Sequence, residues 1–119
     1  MKLEIKSKTY EFKWGIKAHR LMETNHDMDM EHIRQHIAKL NVLIPFSYYA
    51  LECSLPKGEF LPFDEEEYTD FLDEKGEPFL VEIVTDYFNH VKKSLGWEEI
   101  EEQAIEKLDA KKKVVKKKP

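Results

Sequence analysis

A single cysteine, Cys53, means that no internal disulfide can staple this chain. Its four glycines are scattered, and none belongs to a Gly-rich loop that could cradle a phosphate. There is no Gly-x-Ser-x-Gly elbow, no Cys-x-x-Cys pair and no kinase signature. The longest apolar runs, "VLIPF" and "FLVEIV", fall far short of the roughly 20 residues that span a bilayer. The first residues alternate Lys2, Glu4 and Lys6 with Leu3 and Ile5, unlike the apolar stretch of a secretory signal. These absences predict a cytoplasmic chain without cofactor, bound metal or membrane attachment.

What is present is enough for one core. The 119 residues are 41% hydrophobic and 12% aromatic, which favours folding over disorder, and the length suits one domain. The net charge of -5 conceals a split. The last nine residues, "KKKVVKKKP", hold six lysines and no acid, which leaves 13 basic against 24 acidic side chains, or -11, over positions 1–110. An acidic body repels nucleic acid and suits a basic or helical protein partner. The spacing predicts a compact domain over 1–110, with a β-hairpin at 1–15 and helices over 16–110, followed by a flexible basic tail at 111–119.

Leu3 and Ile5 alternate with charged residues, and so do Tyr10, Phe12 and Trp14. That period of two predicts two strands with one buried face, joined by a turn at Ser7-Lys8. A helix follows Gly15 and stops near Asn25. Ile33, Ile37, Leu40 and Ile44 mark one face of a second helix, which Pro45 should break near Ile44. A short apolar helix over "FSYYALECSL" comes next. Asp64 and Glu67 are spaced as a capping box, with Phe63 and Tyr68 at the staple positions around it. That helix ends at Gly76. Phe79, Leu80, Ile83, Val84, Tyr87, Phe88, Val91 and Leu95 then form the clearest helical face in the chain. Trp97, Ile100, Ala104 and Leu108 mark a last amphipathic helix. The fold class is α+β: an N-terminal hairpin and four or five helices.

Few residues carry chemistry. His32 and His36 stand four apart, a spacing that can share one zinc ion, so a small metal-dependent hydrolase is one reading. The metalloprotease form requires Glu after the first His, and Ile33 fills that place. Glu65, Glu66, Glu67, Asp70, Asp73 and Glu74 read as a solvated acidic helix start, where the dipole favours acids, because paired glycosidase carboxylates come from separate elements. Cys53, with no histidine close in sequence, reads as a small apolar core residue. The lysine tail suggests a nucleic-acid-associated regulatory module as another alternative. It offers salt-sensitive phosphate contacts but neither aromatic rings to stack bases nor Arg for bidentate readout, so a nucleic-acid partner is disfavoured.

The opening "MKLEIKSKTYEFKWGIKAHRLM" resembles the start of the tail assembly chaperones of long-tailed phages and prophages of Gram-positive bacteria. Leu3, Ile5, Tyr10, Phe12, Trp14 and Gly15 carry the likeness, and "LNVLIPFSYYALECSL" looks like that family's middle helical segment. Ser7-Lys8 departs from the family's Gly- or Asn-bearing turn. The resemblance implies a non-enzymatic oligomer in the host cytoplasm, absent from the mature virion. It would bind the long tape-measure protein and help recruit tail tube subunits. A lysine-coded frameshift site at Lys111–Lys113 or Lys116–Lys118 would fit the same picture. Tyr10, Phe12, Trp14, Tyr48 and Tyr49 are the candidate partner or subunit contacts, with at least two of the first three expected in the core.

Overall fold

The computed structural model describes residues 1–94 of the chain. Two strands, β1 (Lys2–Ile5) and β2 (Lys8–Glu11), form an antiparallel hairpin. Five helices follow: α1 (Ile16–His26), α2 (Met30–His36), α3 (Leu40–Ser54), α4 (Glu65–Lys75) and α5 (Glu77–Ser94). The hairpin-plus-helices architecture is therefore as expected. The chain divides into two units, Met1–Tyr87 and Phe88–Pro119. Of the second, residues 88–94 are described; they continue α5, and Val91 is buried. The expected helix beginning at Trp97 and the lysine tail lie outside the described residues.

The hairpin turn is Lys6-Ser7, one residue before the expected Ser7-Lys8. Ile5 pairs with Lys8 and Leu3 with Tyr10. Lys6 and Ser7 both take positive φ, 52° and 65°, as a primed two-residue turn demands. Moving such a turn by one residue moves every partner by two. The apolar side chains then stay on one face, so alternation alone cannot choose between the registers. Tertiary contacts act on the turn as well: the Lys6 amine donates to Glu67 Oε2 at 2.7 Å and to the Pro62 carbonyl at 3.4 Å.

β2 also ends sooner than its alternation suggests. β1 is exhausted where Lys2 meets Glu11, so Phe12 and Trp14 lie beyond the ladder. The Lys13 N–H instead donates to the Ala50 carbonyl on α3 at 3.0 Å. This bond steers Trp14 inward. Its indole has 0% exposure and meets Phe12, Phe46 and Tyr87 at centroid distances of 4.8, 5.1 and 5.5 Å. Its ring N–H donates to Asp86 Oδ2 at 2.8 Å, while Asp86 Oδ1 accepts from the Met1 amine at 2.9 Å. Gly15 then caps α1. Its carbonyl accepts from the backbone N–H of His19 at 3.2 Å and from His19 Nδ1 at 2.8 Å. In the neutral ring this leaves Nε2 to accept from the Tyr87 hydroxyl at 3.4 Å.

The break expected at Ile44 falls earlier, at residues 37–39, between α2 and α3. α3 passes through Pro45. The missing N–H would have served the carbonyl four residues back, on Asn41. Asn41 is an exposed residue of the first turn, so the interruption falls where the helix is least committed to its ladder. α3 packs against α1, α4 and β2 and buries Val42, Leu43, Phe46, Ala50 and Leu51. The capping box at α4 forms as the spacing implies: Asp64 Oδ1 accepts from the Glu67 N–H at 2.8 Å, and Glu67 Oε1 accepts from the Asp64 N–H at 3.4 Å. Phe63 and Tyr68 stack across it, with centroids 6.3 Å apart. Gly76 takes φ 81° between α4 and α5, a turn that a side chain would strain.

Candidate partner-binding groove

The five expected contact residues do not gather on one surface. Tyr10, Phe12 and Trp14 are all buried in the core of the chain, where the expectation placed at least two. Tyr48 and Tyr49 are half-buried, and their hydroxyls have partners within the chain. Tyr48 donates to the Phe63 carbonyl at 2.8 Å, and Tyr49 lies 3.0 Å from His26 Nε2 and 3.4 Å from Asn25 Nδ2. Burial pushes both phenols above their ordinary pKa, and neighbouring Glu52 adds to the rise.

The titratable candidates lie apart as well. His32 and His36 do meet on α2, with ring centroids 4.6 Å apart. His36 is held below the ordinary imidazole pKa by partial desolvation, then by Lys39 and His32. Asp29, close in sequence, is occupied as the cap of α2, accepting from the His32 N–H at 2.8 Å. Among the described residues no group of three or more His, Cys, Asp or Glu side chains is placed to hold a metal ion. Cys53 is buried, and that burial raises its thiol pKa. The acids of α4 are mostly exposed, apart from their roles in capping and in the Lys6 ion pair. No described helix is long and apolar enough to cross a membrane.

One hollow among the described residues is one the sequence reading missed. The start of α3, the second half of α4 and the first turns of α5 enclose a groove of about 570 Å³. Leu43 and Leu72 form its floor, and Ile44, Leu80 and Val84 its walls. Leu40 and Val81 stand at the lips, 55% and 58% exposed. The lining hydroxyls of Thr69 and Thr85 each donate to a carbonyl of their own helix, at 2.8 Å, and so do not point a free donor into the groove. Asp73 and Glu77 are the charged residues of the lining, and no basic side chain joins them among the described residues.

The groove exists because α5 is apolar over a wider arc than it buries. Within the first unit its covered stripe is Ile83 and Tyr87, while Leu80, Val81 and Val84 lie toward the hollow. The sequence signal was available in Leu80-Val81 and Ile83-Val84. Two adjacent pairs cannot all face one core on a helix of 3.6 residues per turn. No family model matches the chain, and no curated protein or solved structure matches it either.

Proposed function

We propose that this protein is a non-catalytic assembly chaperone of a phage tail. It binds the tape-measure protein, keeps that helical chain from aggregating, and helps recruit tail tube subunits in the host cytoplasm. The observation that carries the reading is the groove between α3, α4 and α5, an open apolar surface with aliphatic lips in a small domain. Contiguous exposed apolar surface on a small protein marks a site for another polypeptide or ligand. A groove between helices suits the apolar stripe of an amphipathic helix. The likeness of the first 55 residues to tail assembly chaperones supplies the identity of the client.

Assembly of several copies along one client fits the hairpin. The sheet has two strands, so β1 offers an unpaired outer edge among the described residues. That edge is short and carries Lys2 and Glu4 outward, which favours a contact made on a client over indiscriminate stacking. The test is co-expression with the tape-measure protein of the same gene cluster. The client should move from the insoluble to the soluble fraction and co-purify with this chain. A client equally insoluble with and without it refutes the reading.

A further inference from the structure

The groove's charge indicates what kind of helix it takes. We infer that it binds an amphipathic helix whose apolar stripe is bordered by lysine or arginine, the apolar side chains entering between Leu40 and Val81 and the basic ones meeting Asp73 and Glu77. This rests on the protein-binding reading above and narrows it to one chemistry.

Two features support this occupant. Along α5 the hollow is lined by Gly76, Glu77, Leu80, Val81, Val84 and Thr85 over successive turns, which matches a partner presenting side chains at intervals of three and four. Its charged lining is of one sign. Asp70 and Glu74 of α4 lie on another face, beside Ile5, Lys6 and Phe63, so the charge at the groove is that of Asp73 and Glu77. An acidic border repels an acid-flanked stripe and attracts a basic one, and such complementarity governs which partner is accepted more than how tightly apolar area binds. A second copy pairing groove to groove fits poorly, because Asp73 and Glu77 would meet their own kind.

The test uses the full chain and two dye-labelled helical peptides of about 15–20 residues. Both carry leucines at i, i+3, i+4 and i+7. One is flanked by lysines and the other by glutamates. Fluorescence anisotropy should show the lysine-flanked peptide binding at least about tenfold tighter at low salt, with the preference narrowing as salt screens the pair. Asp73→Lys with Glu77→Lys should reverse the preference. Val81→Asp should weaken the favoured peptide about tenfold, because it removes an apolar lip. Val81 is mostly exposed, so that variant keeps the wild-type fold; Leu40→Glu on the opposite lip serves as a second variant.

Equal binding of the two peptides overturns the inference, as does binding indifferent to both lip variants. A dimer that dissociates in Val81→Asp on sedimentation also overturns it, since the occupant is then a second copy. The two proposals fail separately. A charge-reversed variant that still keeps the tape-measure protein soluble overturns the groove's role and leaves the chaperone reading standing. A wild-type chain that shows the peptide preference but leaves that client insoluble supports the groove assignment and refutes the chaperone reading.

Discussion

The same atom can be removed from two buried tyrosines with opposite expected results. Tyr68 has no exposed surface, and its hydroxyl donates to Ser47 Oγ at 2.8 Å; Ser47 is equally buried. Burial pushes the Tyr68 phenol far above its ordinary pKa, so it remains a donor at any ordinary pH. Tyr68→Phe deletes the bond and leaves the Ser47 oxygen without that donor, although Ser47 still donates to the Ile44 carbonyl at 3.2 Å. The expected loss is about 1–2 kcal/mol. Tyr10 is also buried, yet its hydroxyl has no partner among the described residues. Tyr10→Phe keeps the edge-on contact with Phe63 at 5.7 Å and removes a polar atom whose unpaired burial costs about 1–3 kcal/mol. Its expected effect is a gain of about 1 kcal/mol. At about 4–8 °C per kcal/mol for a unit of this size, the two variants should melt at least about 8 °C apart. Thermal and urea melts followed by far-UV circular dichroism measure this, with unchanged m-values confirming the same unfolded reference. A Tyr10→Phe loss as large as that of Tyr68→Phe would refute the assignment of the Tyr10 hydroxyl as unpaired.

Three further perturbations follow from local geometry. Ser7→Gly should stabilise by about 1 kcal/mol, because a left-handed φ strains any residue with a Cβ; urea midpoints give the sign, and a loss would mean the turn is not primed. Asp86→Ala should cost about 1–3 kcal/mol by orphaning the indole N–H of fully buried Trp14, read as a lower midpoint at constant m-value. Glu67 is held below the ordinary carboxylate range, first by its hydrogen bond with Lys6 and then by the Asp64 N–H. The stability it contributes is therefore complete above that range and is lost as pH falls through the depressed folded value. Glu67→Gln, which keeps a side chain compatible with the capping box, should flatten the acid side of the stability profile, and an unchanged profile would remove Glu67 from that role.

Features resting on one strong local rule were legible in the sequence. The capping box at Asp64 and Glu67, with its Phe63–Tyr68 staple, needs no tertiary help, and it forms at the expected residues. The hairpin was readable as an element but not in its register, since two turn positions satisfy the same alternation. Pro45 misled because its cost depends on its place in the helix: near the first turn only one carbonyl is orphaned, at exposed Asn41. The groove was illegible for a different reason. Hydrophobic periodicity reports that a side chain avoids water but not whether this chain or another covers it. Leu40, Leu80 and Val84 therefore read as interior positions, although they border the hollow.

The central place of α3 also sets the order in which the molecule can come apart. With α1, α4 and β2 resting on it, and Phe46 touching Trp14, His19 and Tyr87, no neighbour can detach without baring part of its surface. Deuterium should therefore reach the amides of Phe46 to Leu51 last, at a rate set by global unfolding, while the turn at Lys6 and the loop around Gly58 exchange almost at once.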